Sequence, residues 1–122
     1  MIDFDVSPDN IVVIAGVSTK NASQYVVTVK PFASTIPIFN TTLFAYKPVS
    51  VAISESSSLI AYFDSNSNIN VFNIISKKFY PFKSNLTQLG VIDFIGEDKL
   101  LINYGSNFQI IDLFAKQFEK EI

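Results

Sequence analysis

Histidine, cysteine, arginine and tryptophan are all absent from this sequence of 122 residues. Without histidine and cysteine, the chain cannot form a Ser-His-Asp triad, a Cys-His nucleophile pair, a Cys/His zinc site or a disulfide. Without arginine, it lacks the side chain that binds guanine and phosphate through two parallel hydrogen bonds. These absences exclude the commonest nucleophilic and metal-dependent chemistries. We therefore predict that the protein is not an enzyme and holds no metal or cofactor.

Charge of either sign and long hydrophobic segments are also scarce. Nine lysines and eleven acidic residues leave a net charge of -2, too small to attract or repel nucleic acid strongly. The longest unbroken apolar run covers residues 11–17, far short of the ~20 residues that span a bilayer. The first five residues include two aspartates and have no hydrophobic signal core. We predict an intracellular protein that has no membrane partner.

Strand-forming residues dominate what is present. Val, Ile, Phe, Tyr and Thr recur in short runs bounded by Asn, Ser, Asp, Pro and Gly, and 48% of the residues are apolar, which is enough for a core. The final stretch, 114–122, fits either a short helix or an outer strand, and we favour the strand. The pattern predicts further strands near 3–7, 11–17, 24–30, 35–39, 42–46, 49–54, 58–63, 68–74, 78–82, 89–95, 99–104 and 107–113.

A repeat of about forty residues runs through the chain about three times, and residues 51–73 form its clearest copy. Leu59 corresponds to Leu100, 41 positions later, and Val71 corresponds to Ile110, 39 positions later. Each copy has an apolar strand, a tight turn, a strongly apolar strand, a second turn and an alternating strand. This period, with several short strands per unit, is typical of β-propeller blades.

The middle copy resembles the WD40 repeat family. Phe72 and Asn73 stand where that family often has Trp and Asp, and the framework positions of the family are occupied by Ser54, Leu59, Ala61, Asp64, Ile69 and Val71. The resemblance implies an all-β fold, an incomplete β-propeller of about three four-stranded antiparallel blades in a single domain, 1–122. The approximate blades are 1–39, 40–82 and 83–122. The alternative architecture is a β-sandwich of two packed sheets.

Three blades are too few for a ring, since closed propellers have ~4–8 blades. The first copy also starts late, and we expect no innermost strand before Phe4. An open stack of blades would leave apolar faces and strand edges bare, which favours association. We therefore predict partners, either other protein subunits or the remainder of a propeller.

One basic segment interleaved with aromatic residues stands out, and its candidate contact residues are Lys77, Lys78, Phe79, Tyr80 and Lys83. Lysine suits RNA phosphate and aromatic rings suit stacking on bases, so the segment is a candidate for partner or RNA contact. The same pattern also fits a solvated outer strand, whose lysines and proline prevent edge pairing.

Two other features have a structural and a functional interpretation. The segment 30–39 carries two prolines and fits a connector or a docking surface for a peptide. A general acid–base pair would have to come from the aspartates, most of which occupy predicted turns where Asp has a structural role: Asp3, Asp5, Asp9, Asp64, Asp93, Asp98 and Asp112.

From the sequence we therefore predict a non-catalytic protein–protein interaction scaffold that forms a propeller portion of a larger intracellular complex. The resemblance implies assemblies of the nuclear pore, vesicle-coat or ribosome-assembly kind. The alternative function is an RNA-contacting module using the segment 77–83. The third is a carboxylate-dependent hydrolase on a propeller scaffold.

Overall fold

The computed structural model describes residues 2–41, 44–83, 90–104, 106–113 and 117–121. Across these residues the chain forms twelve β-strands and no helix, which confirms the all-β prediction. The strands are β1 (Asp3–Val6), β2 (Ile11–Val17), β3 (Tyr25–Pro31), β4 (Phe39–Asn40), β5 (Pro48–Ile53), β6 (Leu59–Asp64), β7 (Asn68–Asn73), β8 (Lys78–Lys83), β9 (Val91–Ile95), β10 (Lys99–Tyr104), β11 (Asn107–Asp112) and β12 (Gln117–Glu121).

The strands form three antiparallel sheets of four consecutive strands each, β1–β4, β5–β8 and β9–β12. We call these sheets blades 1, 2 and 3. Three sheets are incompatible with the alternative two-sheet sandwich, which is therefore wrong. The exact boundaries proposed between the repeat units stay a prediction.

Two of the predicted strands need comment. The strand predicted over 35–39 is wrong for most of its length, because β4 is only Phe39–Asn40. Pro37 has no N–H to contribute to a ladder, which explains the late start. Of the strand predicted at 42–46, positions 42 and 43 lie outside the described residues, and Phe44 makes a single bridge to Tyr25.

The first strands of the three blades lie next to one another, since β5 contacts both β1 and β9. They are thus the inner strands of the stack. The expectation that blade 1 lacks an innermost strand is wrong, because the four residues of β1 fill that place and pair with β2 along their whole length. The strand predicted over 3–7 is therefore β1 itself, and the error lies in the place assigned to it within the blade.

The core consists of two apolar layers, one at each junction between blades. Every residue of β6 is buried, because this strand has a neighbouring blade on both faces. The layer between blades 1 and 2 includes Val13, Ala15, Val27, Val29, Val51, Ile53, Ile60, Tyr62 and Ile74. The layer between blades 2 and 3 includes Ala52, Leu59, Ala61, Phe63, Ile69, Val71, Ile92, Leu100, Ile102, Ile111 and Leu113.

In the part of the chain that the structure describes, no helical segment has the length and hydrophobicity that crossing a bilayer requires.

Candidate interaction site

Side chains on the inner strand of blade 1 hold the inner strand of blade 2. The backbone N–H of Val51 donates to Asp3 Oδ2 and that of Ile53 donates to Asp5 Oδ2, each at 3.0 Å. Both aspartates lie on the face of blade 1 that packs on blade 2, since they pair with Ala15 and with the core residue Val13. Charged acceptors make strong hydrogen bonds. Each aspartate therefore satisfies a backbone N–H group at the edge of β5 that would otherwise need a water molecule.

The same arrangement recurs once between blades 2 and 3. The backbone N–H of Ile92 donates to Ser50 Oγ at 3.1 Å, as Val51 does to Asp3. At the second position blade 2 has Ala52, which has no acceptor, and the N–H of Phe94 donates to Asp93 Oδ1 at 2.9 Å instead. The inner strand of each blade thus offers acceptors to the blade that follows, and the pattern has a direction.

The series begins at two backbone N–H groups of β1 that make no hydrogen bond to β2. The N–H of Ser7 donates to the Ile11 carbonyl at 2.9 Å, so the alternation of an antiparallel ladder points the N–H groups of Phe4 and Val6 away from β2. Phe4 and Val6 correspond to Val51 and Ile53 of the next blade. At the other end of the series, Asp93 corresponds to Asp5.

The outer face of blade 1 is apolar and exposed. Phe4 is 54% exposed and Phe32 is 67% exposed, whereas Val12 beneath them is buried. Together with Ile14 and Lys30, these residues line a depression of about 230 Å³. Among the described residues no strand packs on this face, so it has the character of a blade junction without its second blade.

The outer face of blade 3 is similarly apolar, and it carries Asp93 together with the Lys99–Asp112 ion pair. Val91 is 65% exposed and Ile95 is 42% exposed on its inner strand, and Asp93 lies between them, also exposed. The cross-strand neighbour of Asp93, Leu101, is half-buried. The two ends of the stack are thus apolar surfaces, one carrying Lys30 and the other Asp93.

The turns between the first two strands of each blade are also linked. Ser57 Oγ of blade 2 donates to Asp9 Oδ1 of blade 1, at 2.5 Å. From the same turn, the Ser56 N–H and the Ser56 hydroxyl donate to Glu97 of blade 3, at 3.1 and 2.5 Å. We call this set of contacts the turn clasp, since one serine-rich turn holds a carboxylate on each side.

The hydrogen bonds of the turn clasp favour the ionised carboxylates. Bonds from Ser57 and then Ser7 hold the pKa of Asp9 below its ordinary value. For Glu97, partial burial acts to raise the pKa, but hydrogen bonds from Ser56, with further ones from Ser54 and Ser58, outweigh it, and the pKa is held below its ordinary value.

Comparison with known proteins identifies the fold. No protein-family model matches the chain, and no curated protein matches it in sequence. The structure of U3-55K and the crystal structure of the RRP9 WD40 repeats each superpose on 99% of this chain with a TM-score of 0.77, at 13% identity. The chain folds as a segment of a WD40 β-propeller. KlHsv2 with loop 6CD replaced by a Gly-Ser linker is also similar, with a TM-score of 0.73 at 11% identity over 98% of this chain. The chain spans 38%, 38% and 44% of those three structures.

The six positions of blade 2 that match the WD40 framework are buried, whereas Phe72 and Asn73 are half-buried. The hydroxyl of Ser54 accepts the N–H of Leu59 at 3.1 Å and thereby closes the turn into β6. Asp64 closes the next turn, accepting the N–H groups of Asn66 at 2.9 Å and Asn68 at 3.0 Å. The residues that carry the resemblance therefore shape the blade.

The structure divides the basic aromatic segment between two surfaces. Phe79 pairs with Phe72 across β7 and β8, with ring centroids 4.6 Å apart, on the side of blade 1. Tyr80 pairs with Val71 and packs against the layer between blades 2 and 3. Neighbouring residues of a strand point to opposite faces, so these two rings belong to different surfaces.

The lysines of the segment are placed as follows. Lys77 lies in the turn before β8 with a left-handed backbone, φ 62°, and its Nζ is 5.5 Å from the centre of the Phe39 ring. Lys78 is exposed at the start of β8. Lys83 ends β8, and its side chain lies outside what the structure describes. Lys77, Lys78 and Phe79 therefore share one end of blade 2.

The aspartates predicted as a possible acid–base pair have structural contacts where the structure shows them. Asp3, Asp5 and Asp93 line a depression of about 260 Å³ beside the inner strands. Asp112 lies 3.8 Å from Lys99 Nζ. Within the described residues no group of three or more acidic side chains is arranged to hold a metal ion.

The inner-strand aspartates are the contacts that sequence reasoning missed. Asp3 and Asp5 are 48 positions from the N–H groups that they accept, so no local pattern connects them. The available signal was the placement of two acidic residues on the same face of a short strand, around the apolar Phe4.

Proposed function

We propose that the protein is a non-catalytic interaction scaffold whose two outer sheet faces receive further blades. These blades come from another protein subunit or from the remainder of a propeller. The observation that supports this most directly is the directional series of inner-strand contacts, which begins at the N–H groups of Phe4 and Val6 and ends at Asp93.

The series defines the chemistry of the partner. A blade that docks on blade 1 needs an inner strand with Asp, Ser or another short acceptor at two alternate positions, facing Phe4 and Val6. A blade that docks on blade 3 needs an inner-strand N–H opposite Asp93. Covering a few hundred Å² of apolar surface at each end contributes several kcal/mol, at roughly 25 cal/mol per Å².

The larger assembly is intracellular in this proposal. Nuclear pore, vesicle-coat and ribosome-assembly complexes are the kinds that the WD40 resemblance implies.

The absence of cysteine from the sequence permits a direct test of the two outer faces. Single cysteines carrying a nitroxide label are introduced as Val6→Cys on blade 1 and Val91→Cys on blade 3, with Ile75→Cys as the control. Ile75 is 79% exposed in a turn outside both faces. In the purified chain the apolar faces of other copies are the available substitutes for the missing blades, so we expect electron paramagnetic resonance to show slower label motion at the two face positions as protein concentration rises, with no change at the control. Equal mobility at all three positions over the whole range would contradict the proposal.

A second candidate function is contact with RNA near Lys77, Lys78, Phe79, Tyr80 and Lys83. The observation in its favour is that Phe79, stacked on Phe72, is 48% exposed beside two lysines, and base stacking needs such a ring.

Binding of a fluorescent single-stranded RNA tests this candidate. Replacing Lys77, Lys78 and Lys83 together by Glu should abolish binding and its dependence on salt. Replacing Lys20, Lys30 and Lys47, which lie elsewhere, is the matched control. Unchanged binding in the first variant would end the candidate.

A further inference from the structure

A cavity of about 340 Å³ opens between blades 2 and 3, on the side where the first and second strands of each blade meet. Its floor is apolar and is formed by Leu59, Val71 and Leu113, with Tyr80 at one wall. Ser58 and Glu97 form part of its rim. Liquid water occupies roughly 30 Å³ per molecule, so the cavity has room for more than a single side chain.

The rim is fixed by contacts that are already made. Glu97 accepts hydrogen bonds from the backbone and hydroxyl of Ser56, and from the Ser58 hydroxyl at 3.3 Å. These bonds join the first turn of blade 2 to the first turn of blade 3. A rim held in this way loses little conformational entropy when a ligand binds, which favours affinity.

Glu97 gives the rim a negative charge, and its hydrogen-bond partners are neutral. All the hydrogen-bond donors to Glu97 that the structure shows are serine hydroxyls and a backbone N–H. In the described ranges of the chain, no lysine lies within ion-pair distance of Glu97, and the ion pair that is present joins Lys99 to Asp112. A charge beside an apolar floor attracts a cation more strongly than one in open water does.

We propose that this cavity binds a short peptide segment of a partner protein, with an apolar side chain on Leu59, Val71 and Leu113 and a Lys or Arg beside Glu97. The combination of an apolar floor with one acidic rim residue matches such a segment in shape and in charge. The site deepens the proposed interaction role, but it lies between blades 2 and 3 and does not depend on further blades at the outer faces.

The test begins with peptides selected from a random seven-residue library displayed on phage, against the immobilised full chain. We expect the selected peptides to combine apolar residues with Lys or Arg. Binding of one synthetic peptide is then measured by fluorescence anisotropy, together with its Lys→Gln and Leu→Ser versions. Each replacement should weaken binding about tenfold.

A double-mutant cycle assigns the basic residue to Glu97. In the Glu97→Gln variant, which removes the charge but keeps the size of the side chain and one acceptor oxygen, the Lys→Gln change in the peptide should have less than a twofold effect. Glu55→Gln, on the exposed part of the same turn, is the matched control and should preserve the tenfold effect. Circular dichroism confirms that both variants are folded.

Other outcomes would overturn the proposal. Failure to select any peptide, or a Lys→Gln effect that is the same in all three proteins, means that the cavity does not recognise a basic apolar segment. Peptide binding that is lost as the chain associates means that a second copy occupies the cavity. None of these results would alter the label mobilities at Val6 and Val91, so failure here is distinguishable from failure of the scaffold proposal.

Discussion

At the scale of single residues, Asp64 is the side chain that most clearly links the sequence pattern to the fold. It is 4% exposed, and besides two backbone N–H groups it accepts the side-chain amides of Asn68 and Asn70, each at 3.4 Å. A buried carboxylate is stable only with such partners. One residue thereby closes the turn between the two middle strands of blade 2.

Replacing Asp64 by Ala should lower the free energy of unfolding by about 3 kcal/mol, because hydrogen bonds to a charged group contribute ~1.5–3 kcal/mol each and their donors would lose an acceptor. Urea denaturation measures the change. The neighbouring Ser65→Ala, at an exposed position, is the control and should change stability by less than ~0.5 kcal/mol. Similar effects of the two substitutions would contradict the role given to Asp64.

Tyr62 gives a prediction for alkaline conditions. Burial raises the pKa of its phenol above the ordinary value, and the Asp64 carboxylate raises it further. The phenol has a higher pKa in the folded state than in the unfolded state. The stability that protonated Tyr62 contributes is therefore complete below about pH 10 and is lost as the pH rises beyond it.

Unfolding free energies compared at about pH 8 and pH 11 test this effect. Tyr62→Phe keeps the ring that stacks on Phe44 at 4.8 Å and removes the ionisable group, so its alkaline loss of stability should be smaller than that of the unaltered protein. The exposed Tyr46→Phe is the control. An alkaline loss that is equal in both variants would show that Tyr62 is not responsible.

At the scale of elements, the inner strands are held across blades by side chains. Replacing Asp5 by Ala should cost about 1–2 kcal/mol, because the N–H of Ile53 loses its acceptor. Asp5→Asn keeps an acceptor and should cost less. Asp93→Ala should have little effect on the isolated chain, because the Phe94 N–H that Asp93 accepts is exposed and water can replace the carboxylate. Thermal unfolding ranks the three variants, and equal effects at positions 5 and 93 would remove the argument for a directional series.

The turn clasp predicts a dependence on acid. Both Asp9 and Glu97 have lowered pKa values in the folded state. Their ionised carboxylates therefore contribute to the free energy of unfolding above about pH 4.5, and this contribution decreases as the pH falls through the folded-state pKa values. Ser57→Ala removes the main partner of Asp9, and Ser56→Ala removes a main partner of Glu97. Each should make the free energy of unfolding less dependent on pH below about 4.5, with Ser65→Ala as the control. An unchanged acid profile in both variants would contradict the clasp.

The elements themselves were largely predictable, and the contacts between them were not. Runs such as β6 are strongly apolar with turn residues on both sides, and such runs give a clear strand signal. β1 was predicted almost to the residue, but its place as the inner strand was not, because only the contacts between blades define that place; β4 was overestimated because Pro37 interrupts an otherwise apolar segment. The inner-strand contacts link residues more than forty positions apart, and only the stacking of blades brings them together.

At the scale of the whole molecule, repetition explains how a WD40 fold exists at 13% identity to its structural neighbours. Each blade needs an apolar strand, short polar turns and an alternating strand, and many residues satisfy each requirement. The predicted contact segment was harder to interpret from sequence, because alternation sends Phe79 and Tyr80 to different surfaces although they are adjacent in the chain. The cavity at Glu97 combines residues of three strands and two turns with Leu113, which follows β11, and no local pattern reveals this.

Sedimentation velocity of the unmodified chain over a range of concentrations tests most directly whether the two ends of the stack are binding surfaces. We expect species larger than the 13.6 kDa monomer, which dissociate when Phe4→Lys places a charge on the outer face of blade 1 but persist in the Ile75→Lys control. A soluble 13.6 kDa monomer that unfolds cooperatively at every concentration would contradict it.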